Sequence, residues 1–241
     1  MKKISFCITC KNRFHQIVKT LPDNLHDNRR LADEVEFILV DFGSSDGLKE
    51  WVLNQFSEEL KSGYLKFFHT EQMKTWDCSI AKNTAHRYAA GEILVNLDCD
   101  NFTGPEGAKF VMDCFNSHAD HIILHQFSGD GDDGSYGRIS LLKEHFKLLG
   151  GYDESFNPMG YQDADLIQRA RELGLSYILK PQPLFNKAIK NSKSESIRFT
   201  SSKKNYATMC SENRSLSEQN LLLGKIIANN GKFGLKNLQR F

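Results

Sequence analysis

Short apolar runs alternate with segments of helical spacing along most of this chain. Ile4–Thr9 is a mainly apolar run, and Arg13–Leu25 follows with helical spacing broken by Pro22. Val35–Asp41 is a second run, ended by the turn residues Gly43-Ser44-Ser45-Asp46-Gly47. Leu48–Phe56 then reads as a helix, Tyr64–His69 as a strand, and Ser79–Ala90 as a helix stopped by Gly91. Runs of about four to eight apolar residues between turn signals suit buried strands, whereas apolar positions three and four apart suit helices. The strand-helix alternation predicts a parallel sheet with helices on both faces, an α/β fold.

Glu92–Asp100 is the stretch around which this pattern is organised. It is mainly apolar and ends in Asp98-Cys99-Asp100. If it stays extended, Asp98 and Asp100 project from one side and Cys99 from the other. Carboxylates at the carboxyl end of a core strand stand where open α/β sheets bind ligands, and two together favour a divalent cation. Beyond it, helices are predicted at Pro105–Ser117, Lys143–Leu149 and Gln162–Leu173. Strands are predicted at His121–Phe127, Arg138–Leu142, Leu175–Leu179 and Leu184–Ile189. Residues 190–205 read as a polar loop, and Leu216–Ala228 as a helix whose apolar face is Leu221, Leu222, Ile226 and Ile227. The expected division is one domain over 1–189, with halves 1–100 and 101–189, and a C-terminal appendage of loop and helix over 190–241.

Composition narrows the function. A formal charge of +1 in 241 residues argues against a nucleic-acid binder. The charge is uneven, however: residues 187–241 hold eleven Lys/Arg against three Glu. This basic tail is expected either to pack on the body or to touch anionic lipid. The six cysteines are scattered, and Cys7-Ile8-Thr9-Cys10 lies in and just after a strand, away from the helix start that a redox motif prefers. Reduced, mostly buried thiols are expected. Neither a signal-peptide core nor an apolar run approaching about 18 residues is present, so a cytoplasmic location is expected.

Asp-x-Asp occurs twice more. Asp130/Asp132 stands in a Gly-rich loop, where Gly134 breaks calcium-loop spacing, and suits a solvated or substrate-covering loop. Asp163/Asp165 opens the helix Gln162–Leu173. There Asp163 shares a face with Leu166, Ile167 and Ala170, making it the inward carboxylate and the candidate general base. Asp165, four before Arg169, is expected in a surface ion pair of little consequence.

Four stretches together resemble glycosyltransferase family 2 with the GT-A fold, over residues 3–185. They are Ile8–Arg13; Val40–Gly47; Ala81-Lys82-Asn83 with Asp98-Cys99-Asp100; and Leu149–Glu154 with Gly160–Asp165. The second half is similar to the C-terminal region of galactosyltransferases. The resemblance implies that Thr9, Lys11, Arg13, Asp41, Ser44, Lys82 and Asp98 bind a nucleotide-sugar, with Asp41 on the uracil ring. It implies Mn²⁺ or Mg²⁺ on Asp98 and Asp100, Asp163 as the base of an inverting displacement, and Met159, Tyr161 and Gln162 beside the acceptor. The implied partners are a UDP-sugar donor and a glycan or lipid-linked glycan acceptor. His145 is the last histidine, so no downstream His completes the metal. No Gln-x-x-Arg-Trp occurs, which points to transfer of single sugars. A nucleotidyltransferase is the rival enzyme, but Cys10–Phe14 lacks the glycine of its first loop. A non-catalytic sugar-nucleotide or glycan-binding protein is the rival outside catalysis.

Overall fold

The computed structural model describes residues 3–118, 121–131 and 133–241. The first half runs β1 (Ile4–Cys10), α1 (Phe14–Asp27), β2 (Val35–Asp41), α2 (Leu48–Gln55), α3 (Ser57–Ser62), β3 (Leu65–His69), α4 (Cys78–Tyr88) and β4 (Ile93–Asn96). The second runs α5 (Gly107–Ser117), β5 (Ile122–His125), β6 (Ile139–Leu142), α6 (Lys143–Leu148), α7 (Gln162–Glu172) and β7 (Ser176–Leu179). The chain closes with α8 (Lys193–Ile197), α9 (Tyr206–Leu222) and β8 (Gln239–Arg240).

Every residue of β1 and β2 is buried, the condition of central strands covered on both faces. Alternation sends their side chains to two cores. Phe6, Ile8, Phe37 and Leu39 join Ile17 and Leu21 of α1 and Val111 and Phe115 of α5. Cys7, Ile38 and Val40 join Ala81 and Ala85 of α4 and Leu166 and Ala170 of α7. The sheet order is β7-β5-β6-β4-β1-β2-β3-β8. Strands β3, β2, β1 and β4 are parallel, whereas β6 runs antiparallel to β4 and β5. The expected α/β architecture, a mostly parallel sheet between helices, is the one observed. The register Cys10 to Asp41 brings the carboxyl ends of β1 and β2 level, whereas β4 ends opposite Cys7 and its chain runs on to Asp98 and Asp100.

Several local expectations are corrected. Strand β4 stops at Asn96, and Asp98 accepts from the Asn101 backbone N–H in a turn, so the Asp pair is not held by an extended chain. Leu184–Ile189 is not a strand. Its Phe185 and Lys187 carbonyls accept from the Arg138 guanidinium, which takes acceptors a ladder would need. The tail helix begins ten residues earlier than expected because Asn205 caps it, accepting from Thr208 N–H, and it ends before the left-handed Gly224. Its buried positions are Met209, Asn213 and Ser217, four apart, while Leu222 and Ile227 stand exposed. Residues 190–205 contain α8, begun by a Ser192 cap. The expectation for Asp130/Asp132 includes Asp132, outside the described residues.

The C-terminal segment is woven into the body. Strand β8 pairs with β3, and Phe241 packs on the first core. Ala228 N–H donates to the Leu149 carbonyl, and Gly150 lies so close that a Cβ there would stand 2.0 Å from the Ala228 oxygen. Among the described residues, no helix is long and apolar enough to cross a membrane.

Candidate active site

A cleft of about 510 Å³ opens at the carboxyl ends of β1 and β4. Thr9, Lys11, Arg13, Lys82, Asp98, Asp100, Met159, Tyr161, Gln162 and Asp163 all line it, so ten of the expected residues meet in one place. Two do not line it. Asp41 is fully buried, its Oδ1 accepting from Ser44 N–H at 2.9 Å and its Oδ2 from His69 Nδ1 at 2.8 Å. Both Asp41 oxygens are thus engaged, one by the loop after β2 and one by β3. The Ser44 hydroxyl accepts from Asn12 N–H and belongs to the same loop.

The base candidate owes its position to a sharp turn. Gly160 and Tyr161 both have left-handed backbones, with φ of 95° and 72°, and the chain enters α7 directly after them. Asp163, in the first helical turn, opens into the cleft. Its Oδ1 accepts from Lys82 Nζ at 2.7 Å, and the same ammonium is 3.6 Å from Asp98 Oδ1. Gly137 makes room for this trio. A Cβ there would lie 2.4 Å from Asp98 Oδ2, 3.1 Å from Lys82 Nζ and 3.4 Å from Asp163 Oδ2. Burial opposes the Lys82 charge, but the Asp163 and Asp98 carboxylates outweigh it and hold the ammonium well above its ordinary range. Burial raises Asp163, Lys82 pulls it back, and Asp98 adds to the rise.

Asp165 reverses its expectation. It forms a buried pair with Arg169, at 2.7 Å with both side chains 2% exposed, and accepts from the Ser217 hydroxyl of α9. Arg169 also donates to the Leu149 and Gly151 carbonyls. The pair joins α7, α9 and the loop after α6.

Asp98 and Asp100 offer the donor set for a hard cation. Burial, and then the Asp98 charge, pushes the Asp100 carboxyl up to about 6. Each carboxylate has one oxygen held by a neighbouring amide, Asp98 by Asn96 and Asp100 by Asn101. Two crowded carboxylates on a cleft wall fit Mn²⁺ or Mg²⁺. Among the described residues no cluster of three His, Cys, Asp or Glu side chains that could hold a metal occurs.

Beneath Lys82, the buried ring of His86 donates through Nδ1 to the Lys82 carbonyl and stacks on Phe146. Burial pushes its pKa down to about 4. A histidine lowered in the folded state leaves stability intact above its ordinary value and costs stability as pH falls toward 4, by up to about 3 kcal/mol. Asp77, raised to about 6 by burial, acts in the opposite sense, so the His86 contribution needs a difference. Urea unfolding of wild type and His86→Phe is expected to show a gap that shifts in favour of the variant between pH 7 and pH 4.5. A gap independent of pH would contradict a neutral buried imidazole.

Sequence reasoning missed the rest of the wall: Trp76, Tyr136, Phe199, Tyr206 and Cys210. Phe199, Tyr206 and Cys210 arrive from the tail, and no local spacing marks them.

The description Glycosyl transferase family 2 matches residues 5–174, more than half of the sequence. The chain belongs to that family. This family 2 chain is similar in fold to S. aureus TarS residues 1–349 in complex with UDP-GlcNAc, at 17% identity and a TM-score of 0.64, covering 80% of this chain and 60% of that one. It is also similar to the mannosyltransferase PcManGT from Pyrobaculum calidifontis in complex with GDP-Man and Mn²⁺, at 16% identity and a TM-score of 0.63, covering 92% of this chain and 70% of that one. The chain thus spans about 60% of the length of the TarS 1–349 structures. A search among curated proteins finds no match.

Proposed function

We propose that this chain is a metal-dependent, inverting glycosyltransferase. It would move one sugar from a UDP-sugar, a hexose or N-acetylhexosamine of galactose type, to a hydroxyl of a glycan or glycolipid. The observation that carries the reading is the convergence of Asp98, Lys82 and Asp163 around Gly137, in a cleft that also holds Asp100, Thr9, Lys11 and Arg13. Thr9, Lys11 and Arg13 would flank the nucleotide, and Asp98 and Asp100 would hold Mn²⁺ or Mg²⁺. A cation held there supplies neutralisation for the charge of a departing nucleoside diphosphate.

The chain's own residues account for the rest of the chemistry. Lys82 holds Asp163 through Oδ1, and the carboxylate lines the open cleft. An acceptor hydroxyl in that space gives its proton to Asp163 as its oxygen attacks the anomeric carbon. A single displacement on the face opposite the leaving group inverts the configuration. Met159, Tyr161 and Gln162 would flank the acceptor. Gln162 already donates to the Asn157 carbonyl, so its amide is oriented before any sugar arrives. The test is metal-dependent release of UDP from a panel of UDP-sugars, with no release under any divalent metal as the contrary result.

Peripheral membrane contact is proposed for one point of the tail. Leu222, Leu223 and Ile227 are 89%, 62% and 55% exposed, beside the exposed Lys225. Aliphatic side chains next to a lysine suit the edge of an anionic bilayer. Leu222→Glu with Leu223→Glu is expected to abolish co-sedimentation with phosphatidylglycerol vesicles; equal sedimentation of both proteins would remove the idea. Deleting 203–241 is a poor probe, because it also strips Ser217 from Asp165.

A further inference from the structure

Six of the 26 residues that line the cleft lie beyond the family match. Residues 191–210 follow the matched 5–174, yet Phe199, Tyr206 and Cys210 line the same cavity as Asp163. The segment is fixed to the body by main chain. Trp76 N–H donates to the Phe199 carbonyl at 2.7 Å, and Trp76 and Thr200 form a parallel bridge. The Trp76 indole N–H points to Met159 Sδ at 3.2 Å, and its ring meets Phe42 edge-on. At the other end of the segment, Glu195 lies 3.4 Å from Arg13 and 3.2 Å from His15, both of which follow β1. The result is an aromatic wall of Trp76, Tyr136, Tyr161, Phe199 and Tyr206 around the base.

The Tyr136 hydroxyl is pushed up to about 12 by burial and then by the Asp163 charge. Tyr206 is raised by burial, with Cys210 and Asp163 adding to it. Both hydroxyls therefore stay protonated beside the base and can donate hydrogen bonds. Aromatic faces take apolar C–H surfaces, and tyrosine adds a polar tip. A pyranose ring offers both: a face of C–H groups and a rim of hydroxyls. An acyclic polyol has no lasting face and loses more freedom on binding.

We propose that the Trp76, Phe199 and Tyr206 wall selects the acceptor, and that the acceptor is a cyclic sugar stacked on it rather than an acyclic polyol or a simple alcohol. The proposal rests on the glycosyl-transfer reading above. In the step it serves, the anomeric carbon's bond to the diphosphate oxygen breaks with its electron pair leaving on UDP. The acceptor oxygen forms the new bond, and its proton passes to Asp163.

Trp51 and Trp76 are the two tryptophans, so Trp51→Phe leaves Trp76 as the sole indole reporter at the wall. In that protein, methyl glucoside, methyl galactoside and N-acetylglucosamine are expected to change Trp76 emission saturably, whereas glycerol and ribitol leave it unchanged. Phe199→Ala and Tyr206→Ala, each added singly, are expected to weaken pyranoside binding about tenfold or more while UDP affinity stays within about twofold. Retained UDP affinity shows that the variants are folded. Equal responses to polyols and pyranosides would overturn the proposal, as would pyranoside affinity unchanged in both variants. Pyranoside binding in a protein that binds no UDP would sustain the wall and sink the transfer reading instead.

Discussion

Asp163→Asn is expected to slow sugar transfer by about 10²–10⁴ while leaving UDP affinity within about twofold. The size follows from what a positioned base contributes, since the amide keeps the shape but cannot take the acceptor proton. The separation from binding follows from geometry. Asp163 touches Lys82 through Oδ1, whereas Thr9, Arg13 and Asp100 line the cleft from the ends of β1 and β4. Lys82 keeps Asp98 at 3.6 Å in the variant, so the buried ammonium is not left without an anion. Equal losses of turnover and UDP binding would show that Asp163 belongs to the donor site. Full activity in the variant would remove it from the chemistry.

The second large effect is on stability. Asp165→Ala strands a buried guanidinium, and breaking one side of a buried ion pair costs about 3–5 kcal/mol. Both side chains are 2% exposed, so water cannot substitute for the lost carboxylate. The Ser217 hydroxyl also loses its acceptor, loosening α9 from α7. Chemical denaturation should show the loss directly, with Asp165→Asn milder because its amide oxygen can still accept from Arg169. A cost below about 1 kcal/mol would return the pair to the surface class.

These two aspartates show where sequence stops being informative. They stand two apart at one helix start, and helical spacing makes Asp163 the inward one, whereas the fold buries Asp165 and sets Asp163 on the cleft wall. The same spacing offers only an i, i+4 partner for Asp165, because Ser217, which bonds Asp165, and the Leu149 and Gly151 carbonyls, which accept from Arg169, come from distant parts of the chain. The sheet was legible for a related reason. Its central strands carry unbroken apolar runs, and covering both faces is a local demand on composition. Strand β8 was not legible, since it has two residues and exists only by pairing with β3. The surroundings of Asp41 are also long-range: its place at the end of a core strand was plain, but the His69 ring that meets one of its oxygens comes from β3. The aromatic wall is the fullest case, as Phe199 and Tyr206 reach the site through long-range ties such as the pairing of Trp76 with the tail.

In the proposed reaction Asp98 and Asp100 hold a cation against a UDP-sugar beside Asp163. The measurement closest to it is UDP release from a panel of UDP-sugars in Mn²⁺, compared with chelator and with Asp98→Ala and Asp100→Ala. Wild type is expected to release UDP from at least one donor, with chelation or either substitution reducing the rate about 100-fold or more. Release that persists under chelation and in both variants, or no release from any donor under any divalent metal, would contradict the account.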